Sequence, residues 1–199
     1  MTAMSHAIDD SALDTLFRKA RSQNKWLDKP VTQEQLVELY DLMKWGPTNA
    51  NGFPIRIVFV VSEDGKKRLV PLVSERNGPK VSSAPVTAIL AYDIEFYEWL
   101  PRLFPHRDMR TPFVGKPKHA EVTAFRSATL QGGYFILAAR ALGLDCGPMS
   151  GFDNEAVDLE FFPDGKVKSN FICGLGYGDP SGVLERLPRP SFSEVCSIL

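Results

Sequence analysis

A helix pattern and a strand pattern are joined by the stretch Trp45-Gly46-Pro47-Thr48-Asn49-Ala50-Asn51-Gly52-Phe53-Pro54. Its side chains include amides and a hydroxyl, and several of its residues bend the backbone. An ordinary helix-to-strand connection is short and needs few residues of this kind. The excess predicts a loop that holds a ligand.

The residues on both sides of this loop predict regular structure. Thr32 and Gln35 have the spacing of a capping box, and the helix that they open carries an apolar face as far as Trp45. The run from Ile55 to Val61 is nearly all β-branched or aromatic, which is typical of a strand covered on both faces.

The same kinds of pattern predict most of the remaining elements. Asp10 and Ser11 are candidate caps of an N-terminal helix that ends near Arg21. Two further strands are expected at 86–92 and 168–174, and a further helix at 65–74.

The longest predicted helix covers Ala124 to Leu142 and is apolar on most sides, which places it at the centre of the fold. Gly143 ends this helix, and glycine and proline then predict a loop from Leu144 to Asp153. One face of the helix carries Leu130, Tyr134, Leu137, Ala138 and Ala141, and further apolar residues lie around it.

The chain of 199 residues has no break in composition, so one domain is predicted over 1–199. Prolines interrupt any periodicity after Phe96, which predicts a lid-like excursion at about 96–118, and a proline-containing C-terminus predicts an extended arm at about 180–199. Helices and strands do not alternate as they do in a doubly wound sheet. The predicted class is α+β, with a mixed sheet packed between helices.

Composition restricts the kinds of partner. A formal net charge of −1 gives no general attraction to nucleic acid, so a small molecule or a second copy of the chain is expected. Three widely spaced cysteines favour neither a disulfide framework nor a zinc site, and a reduced, cytoplasmic location is expected. No apolar stretch has the length of a signal peptide or a membrane span.

Residues for hydrolysis or for a metal site are scarce. Histidine occurs only at positions 6, 106 and 119, and no serine and acid accompany it in a recognisable grouping. The glycines from Gly174 to Gly178 lack the G-x-G-x-x-G spacing and no helix pattern follows them, which favours a plain strand-ending turn. Any chemistry is therefore expected to come from an organic cofactor.

Four separated segments carry polar groups that suit such a cofactor, although each one taken singly is also compatible with a solvated turn. They are Arg21-Ser22-Gln23-Asn24, the loop before Ile55, Asn77-Gly78-Pro79-Lys80 and Gly147-Pro148-Met149-Ser150-Gly151. In this order, and together with Trp26, Gly176-Tyr177-Gly178-Asp179-Pro180, Arg186 and Arg189, these segments resemble the FMN-dependent nitroreductase family. The resemblance covers nearly the whole chain.

The resemblance also implies an architecture and an activity. The implied fold is a nitroreductase-like sandwich with a mainly antiparallel sheet, in a domain-intertwined homodimer that binds two FMN molecules at the interface. The runs 100–106 and 83–88 are similar to those of the HadB/RutE subfamily. That similarity implies a malonic semialdehyde reductase, which forms 3-hydroxypropionate in pyrimidine degradation by ping-pong hydride transfer from NAD(P)H.

Carried over residue by residue, the resemblance assigns the contacts to FMN. Arg21, Ser22, Arg186 and Arg189 would hold the phosphate, because a guanidinium pairs bidentately with phosphate oxygens. The other contacts would be Asn24 at the ribityl chain, Thr48 and Asn51 of the partner subunit, Asn77 and Lys80 at the pyrimidine edge, Pro148 and Met149 on the ring, and Ser150 with Gly151, whose amide would point to the flavin N5.

The acceptor is less constrained than the cofactor. A semialdehyde with a carboxylate requires a cation, and the excursion offers a basic cluster of Arg102, His106, Arg107 and Arg110, which is equally compatible with a solvated face. Two alternative functions remain open: an NAD(P)H-dependent reductase of nitroaromatics or quinones, and a flavin-binding dimer without turnover.

Overall fold

A computed structural model of the protein describes residues 6–199 and contains one sheet of four strands. Neighbouring strands pair antiparallel in the order β1-β2-β4-β3, and Ser22 adds an isolated parallel bridge to Cys146. The strands are β1 (Ile55–Val60), β2 (Val86–Asp93), β3 (Asp145–Met149) and β4 (Val167–Gly176). The α+β sandwich predicted from the sequence is therefore confirmed.

Helices pack against both faces of this sheet and divide the core into two clusters. The larger cluster lies between the sheet and the longest helix, and the smaller one lies under the helices on the other face. The helices are α1 (Asp10–Leu13), α2 (Gln33–Met43), α3 (Glu63–Leu69), α4 (Gly78–Ser83), α5 (Leu100–Leu103), α6 (Pro117–Ala141), α7 (Asn154–Phe161) and α8 (Phe192–Val195).

We call the loop from Trp45 to Pro54 the opening loop, and the two strands that follow it in the chain, β1 and β2, differ in burial. β2 lies in the middle of the sheet and is buried along almost its whole length, as its apolar run predicts. β1 is an edge strand whose central residues are only half-buried, so the prediction that it is covered on both faces was wrong for the single chain. Its residues are apolar on a face that no described segment of this chain covers fully.

The predicted capping box of α2 is confirmed. The Thr32 hydroxyl accepts a hydrogen bond from the Gln35 amide at 3.3 Å, and the Gln35 side chain accepts one from the Thr32 amide at 3.0 Å. The Gln35 side-chain nitrogen also donates to the Tyr177 hydroxyl at 3.0 Å, which ties the start of α2 to the end of β4. α2 ends at Met43, slightly before the predicted Trp45.

The N-terminal helix differs from its prediction. Asp9 caps it, rather than Asp10 or Ser11, and its carboxylate accepts a hydrogen bond from the Ala12 amide at 2.7 Å. After α1 the chain widens into a π-helical turn at Asp14–Arg18 and the helix stops there, before Arg21. The residues from Ala20 onward are thus free to run along the sheet.

The central helix α6 begins earlier than predicted and buries only part of its apolar surface. Small and polar side chains are buried along it, among them Ala124, Ser127 and Gln131. Phe135 is also fully buried, against Phe59 of β1. Leu130 is 55% exposed and Tyr134 is 38% exposed, so part of the apolar face seen in the sequence points away from the core.

The segment predicted as a loop from Leu144 to Asp153 contains the edge strand β3, so that prediction was wrong. Glycine and proline are disfavoured in central strands. Pro148 has no backbone N–H, and an edge strand tolerates this because it has no second neighbouring strand that would need the donor. Gly147 is required sterically, since a Cβ there would lie 2.5 Å from the Gln23 carbonyl oxygen.

The predicted excursion and C-terminal arm consist mostly of irregular chain. Short helical turns at Phe96–Trp99, α5 and Thr111–Phe113 interrupt the excursion, which ends where α6 begins at Pro117. The arm after Gly182 contains α8 and leaves many apolar side chains exposed, including Leu184, Leu187, Phe192, Val195 and Ile198. Within 6–199, no helix is both long and apolar enough to cross a bilayer.

Candidate functional site

An open cavity of about 500 Å³ lies between the N-terminal segment, the end of α6 and the C-terminal arm. Ala20 and Glu185 lie on its wall, and its polar lining comes from Arg21, Ser22, Asn24, Arg140, Arg186 and Arg189. We call it the arginine cavity. The structure thus brings together all five residues predicted at the phosphate and ribityl chain, although more than 160 residues separate Arg21 from the arm.

The four guanidinium groups of this cavity lack carboxylate partners. Among the described residues, none of them forms a salt bridge, and each donates to backbone carbonyls instead. Arg186 donates to the Arg18 and Ala20 carbonyls at 2.8 and 3.0 Å, and Arg21 donates to the Leu184 carbonyl. Four guanidinium groups and the carboxylate of Glu185 in the lining leave the cavity with an excess of positive charge, so an anion with several oxygens would be stabilised there.

The position of Arg21, Ser22 and Asn24 depends on how the 21–27 segment lies against the sheet. The Gln23 amide donates to the Cys146 carbonyl at 2.9 Å, and the Leu27 amide donates to the Tyr177 carbonyl at 2.8 Å. Asn24 donates to the Gly182 carbonyl at 3.3 Å. The segment is therefore fastened at both ends, at the start of β3 and just after β4.

Glycines at the ends of β3 and β4 make this close approach possible. A Cβ at Gly174 would lie 2.7 Å from the Trp26 indole, and a Cβ at Gly176 would lie 2.8 Å from Pro85 and 3.2 Å from Trp26. Gly178 faces the Gln23 side chain in the same way. The turn predicted as a plain strand ending has this packing role, because the glycines leave room for the 21–27 segment.

A second group of predicted residues meets at the other end of β3. The Asn77 side chain, 8% exposed, donates to the Gly151 carbonyl at 3.0 Å, and the Ser74 amide donates to the same oxygen at 2.9 Å. Lys80 follows on α4, is half-buried and has no salt-bridge partner within 6–199. Asn77 and Gly151 thus form one unit, and their assignment to a flavin stays a prediction.

The residues of the 148–151 segment point in different directions. Met149 is 7% exposed and packs in the smaller core cluster with Ile89 and Ile172. Its neighbours Pro148, Ser150 and Gly151 are exposed. The Met149 side chain therefore lies in the smaller core cluster, whereas Pro148, on the opposite face of β3, is exposed. Their assignment to the flavin ring stays a prediction.

The two groups are joined by β3, whose five residues span roughly 13 Å at about 3.3 Å per residue. Ser22 lies beside Cys146 at the start of this strand, and Gly151 is two residues beyond its end. An anion-binding cavity at one end and an exposed Pro148 and Gly151 segment at the other suit an elongated ligand with a phosphate and a flat ring.

The opening loop lies elsewhere, between α6 and the excursion. The Thr48 hydroxyl donates to the Gly52 carbonyl at 2.6 Å, and the Asn51 side chain donates to the Leu103 carbonyl at 2.8 Å. Ala50 and Asn51 both have positive φ angles, 50° and 53°, which is uncommon for residues other than glycine. Neither Thr48 nor Asn51 lines the arginine cavity, so their predicted role on a partner's cofactor stays a prediction.

The basic residues of the excursion have different partners. Glu98 accepts two hydrogen bonds from Arg110 at 2.7 and 2.8 Å, and this contact lowers the pKa of Glu98 and raises that of Arg110. Arg102 lies over the Trp99 ring, with its guanidinium carbon 4.7 Å from the centroid. His106 stands edge-on to Phe104, and Arg107 is exposed. Arg110 therefore has a structural partner, whereas Arg102 has no carboxylate partner within 6–199.

Comparisons with known proteins identify the family. A protein-family model, described as the nitroreductase family, matches residues 17–177 of the sequence. The chain belongs to the nitroreductase family. This match includes the 21–27 segment, Arg140, the group at Asn77 and Gly151, and the opening loop, but not Arg186 and Arg189, and it confirms the family resemblance seen in the sequence.

Individual nitroreductases agree in sequence and in fold. A protein of Stenotrophomonas maltophilia strain K279a, provisionally named NADH dehydrogenase/NAD(P)H nitroreductase, is 56% identical over 195 residues, which is 98% of this chain and 100% of the relative. A provisionally named nitroreductase from Exiguobacterium sibiricum, solved in complex with FMN, has a TM-score of 0.85 at 17% identity, covering 98% of this chain and 99% of that one. A provisionally named NAD(P)H:FMN oxidoreductase from Staphylococcus epidermidis has a TM-score of 0.82 at 16% identity and full coverage of both chains.

Sequence reasoning missed Arg140, which lines the arginine cavity from the last turn of α6. Its position in the sequence gives little signal, because a basic residue near a helix C-terminus is common for electrostatic reasons. Only the packing of α6 against the N-terminal segment shows that it faces the same space as Arg21 and Arg186.

The glycine packing predicts the effect of Gly174→Ala. The added methyl group would clash with Trp26, so we expect a loss of about 1–3 kcal/mol in the free energy of unfolding, measured by urea denaturation. Shortening the neighbour in the double variant Gly174→Ala/Trp26→Leu should recover part of this loss relative to the sum of the single changes.

Gly78→Ala is the control, because the nearest heavy atom to its new Cβ would be 3.8 Å away. We expect it to change stability by far less than Gly174→Ala. Equal destabilisation by the two alanines, or strictly additive effects at positions 174 and 26, would show that the 21–27 segment does not depend on these glycines.

Proposed function

We propose that this nitroreductase family member binds FMN and is an NAD(P)H-dependent oxidoreductase. The observation that carries the proposal is the convergence of Arg21, Ser22, Arg186 and Arg189 in a cavity whose guanidinium groups form no salt bridge within 6–199. A phosphate monoester is a dianion near neutral pH and can accept several charge-assisted hydrogen bonds. The residues present therefore fit the phosphate of FMN.

Each group of the site has a defined task in this proposal. The arginine cavity binds the phosphate and sets the position of the ligand, and the chain along β3 supports the ribityl part near Asn24. Pro148 and the Gly151 amide would hold the ring, and Lys80 with Asn77 would lie at its pyrimidine edge, where a cation would stabilise negative charge. When bound, FMN supplies hydride transfer between NAD(P)H and the acceptor.

We also propose that the protein is a homodimer in which Thr48 and Asn51 serve the cofactor held by the other subunit. Three apolar surfaces support this proposal. One is the outer face of α6 with Phe125, Leu130 and Tyr134, and the second is the groove between α2 and β1 that contains Phe53 and Trp99. The third is the C-terminal arm. Exposed apolar surface of this extent is typical of protein interfaces.

For the acceptor we propose malonic semialdehyde, on the basis of the resemblance to the HadB/RutE subfamily. Arg102 supports this choice, because it lies on the excursion, is exposed and has no carboxylate partner among the described residues. The hydrogen bond from Asn51 to Leu103 connects this part of the excursion to the opening loop. Arg102 could therefore reach the carboxylate of a substrate at the flavin of the other subunit.

Reduction of nitroaromatics or quinones is the second candidate. The names of the relatives favour it, and an open flavin face accepts many flat molecules. The two candidates place different demands on the excursion, because a semialdehyde carries a carboxylate and a neutral nitroaromatic does not.

Flavin binding and reduction test the basic proposal. Protein purified and incubated with FMN should remain yellow after gel filtration, and its visible absorbance should bleach under anaerobic conditions on addition of NADH or NADPH. Colour should return with an acceptor. A protein that binds no FMN, or that binds FMN and is not reduced by either nucleotide, would contradict the enzymatic function, and the second result would favour a flavin-binding dimer without turnover.

The acceptor is tested by Arg102→Ala. Losing a charge-assisted contact to the carboxylate should raise KM for malonic semialdehyde about ten- to a hundredfold and leave kcat nearly unchanged. The same variant should reduce propanal, which lacks the carboxylate, as the wild type does. Equal changes for both aldehydes, or a kcat/KM that is higher for a nitroaromatic in the wild type, would refute the semialdehyde assignment.

The dimer is tested by Leu130→Glu. Placing a charge on the apolar face of α6 should lower the molar mass measured by light scattering after gel filtration, from that of a dimer toward that of a monomer. The same variant should bind FMN more weakly. Leu159→Glu on α7, where the native side chain is 76% exposed, is the control and should remain dimeric. A wild-type protein with the mass of one chain that nevertheless binds FMN would contradict the shared site.

A further inference from the structure

Arg140 is the one arginine of the cavity that belongs to the central helix. The other three lie on irregular chain. Arg21 is the first residue of the 21–27 segment, and Arg186 and Arg189 belong to the C-terminal arm. Arg140 lies in the last turn of a helix of 25 residues, which is buried along most of its inner side. Its backbone is therefore fixed more firmly than that of the other three.

The present contacts of Arg140 leave most of its donors free. One guanidinium nitrogen donates to the Leu16 carbonyl at 2.8 Å, and no carboxylate within 6–199 lies within salt-bridge distance. A guanidinium has five N–H donors in a planar fork. The contact with Leu16 also joins α6 to the π-helical turn that precedes Ala20 and Arg21, so Arg140 both orients this segment and faces the cavity.

Ala20 contributes a short side chain to the wall of the cavity. Its side chain is the smallest on the wall next to Arg21, and its carbonyl already accepts a hydrogen bond from Arg186. Arg21 and Arg140 both line the cavity beside this short side chain.

We propose that Arg140 is a direct phosphate ligand, which binds the terminal phosphate of the flavin from the end of α6. This inference rests on the proposed function for the identity of the ligand, but not for the existence of an anion site. Arg140 supplies a fixed cation, and the arginines of the N-terminal segment and the arm close on the same phosphate from two other sides. Selectivity for a phosphorylated flavin over riboflavin depends on this arrangement.

The test compares FMN with riboflavin, which has the same ring and ribityl chain but no phosphate. Apoprotein is titrated with each flavin, and the dissociation constants are obtained from quenching of flavin fluorescence. Arg140→Gln should weaken FMN binding about ten- to a hundredfold and change riboflavin binding less than about twofold. Arg140→Lys, which keeps the charge and loses the fork, should give an intermediate loss for FMN.

Lys118→Gln is the matched control, because it removes one positive charge from an exposed position at the other end of α6. It should leave both dissociation constants unchanged. If Arg140 only held Leu16 in place, Arg140→Gln would weaken FMN and riboflavin by the same factor, and the inference would be wrong. Unchanged FMN binding in Arg140→Gln would also overturn it. If Arg140→Gln does not fold, the ratio of FMN to riboflavin affinity in Arg140→Lys decides between the same outcomes.

Inorganic phosphate separates failure of this inference from failure of the proposed function. In the absence of flavin, phosphate should raise the Tm of the wild type more than sodium chloride of equal ionic strength does, and should do so less in Arg140→Gln. If neither flavin binds but this difference is seen, the assignment of Arg140 to an anion site holds and the flavin function fails. An equal rise in both proteins overturns the inference.

Discussion

The close approach of the 21–27 segment to the ends of β3 and β4 is the contact on which the candidate site depends. Backbone hydrogen bonds at Gln23 and Leu27 fasten the segment, and the glycines at 147, 174, 176 and 178 give it room. Two buried atoms of this segment, the side-chain oxygen Oε1 of Gln23 and the indole nitrogen of Trp26, have no hydrogen-bond partner among the described residues. Close packing and backbone pairing must therefore outweigh this cost.

The same contact explains how charge is gathered in one place. Arg21 and Ser22 are carried to the start of β3, where the end of α6 and the C-terminal arm already lie. Each guanidinium uses backbone carbonyls as partners, which satisfies part of its hydrogen-bonding capacity but none of its charge. An anion would offset this charge. The cavity is thus built from three separate parts of the chain that only the fold brings together.

Much of this could be predicted from the sequence, but for different reasons in each part. The capping box at Thr32 and the buried run of β2 are local signals, and both were confirmed. The family resemblance named Arg21, Ser22, Arg186 and Arg189 as one group, which spacing alone could not do, and the structure places them around one cavity.

The errors also have physical causes. Gly147 and Pro148 are typical of a loop, but an edge strand tolerates proline, and the approach of Gln23 requires the glycine. The apolar pattern of α6 does not show which residues face the sheet: Phe135 and Ala138 are buried, whereas Leu130 and Tyr134 are left for another surface. Arg140 carried no motif. Its role depends on tertiary packing, which a periodicity cannot show.

The central claim is that one ligand lies along β3, with its phosphate in the arginine cavity and its ring at Pro148 and Gly151. A crystal structure of the protein with FMN tests this claim most directly. The account predicts that the phosphate oxygens lie within hydrogen-bond distance of Arg21, Ser22 and Arg140, and that the ring contacts Thr48 or Asn51 of the partner subunit. A phosphate bound outside the arginine cavity, or a ring contacted by only one chain, would contradict it.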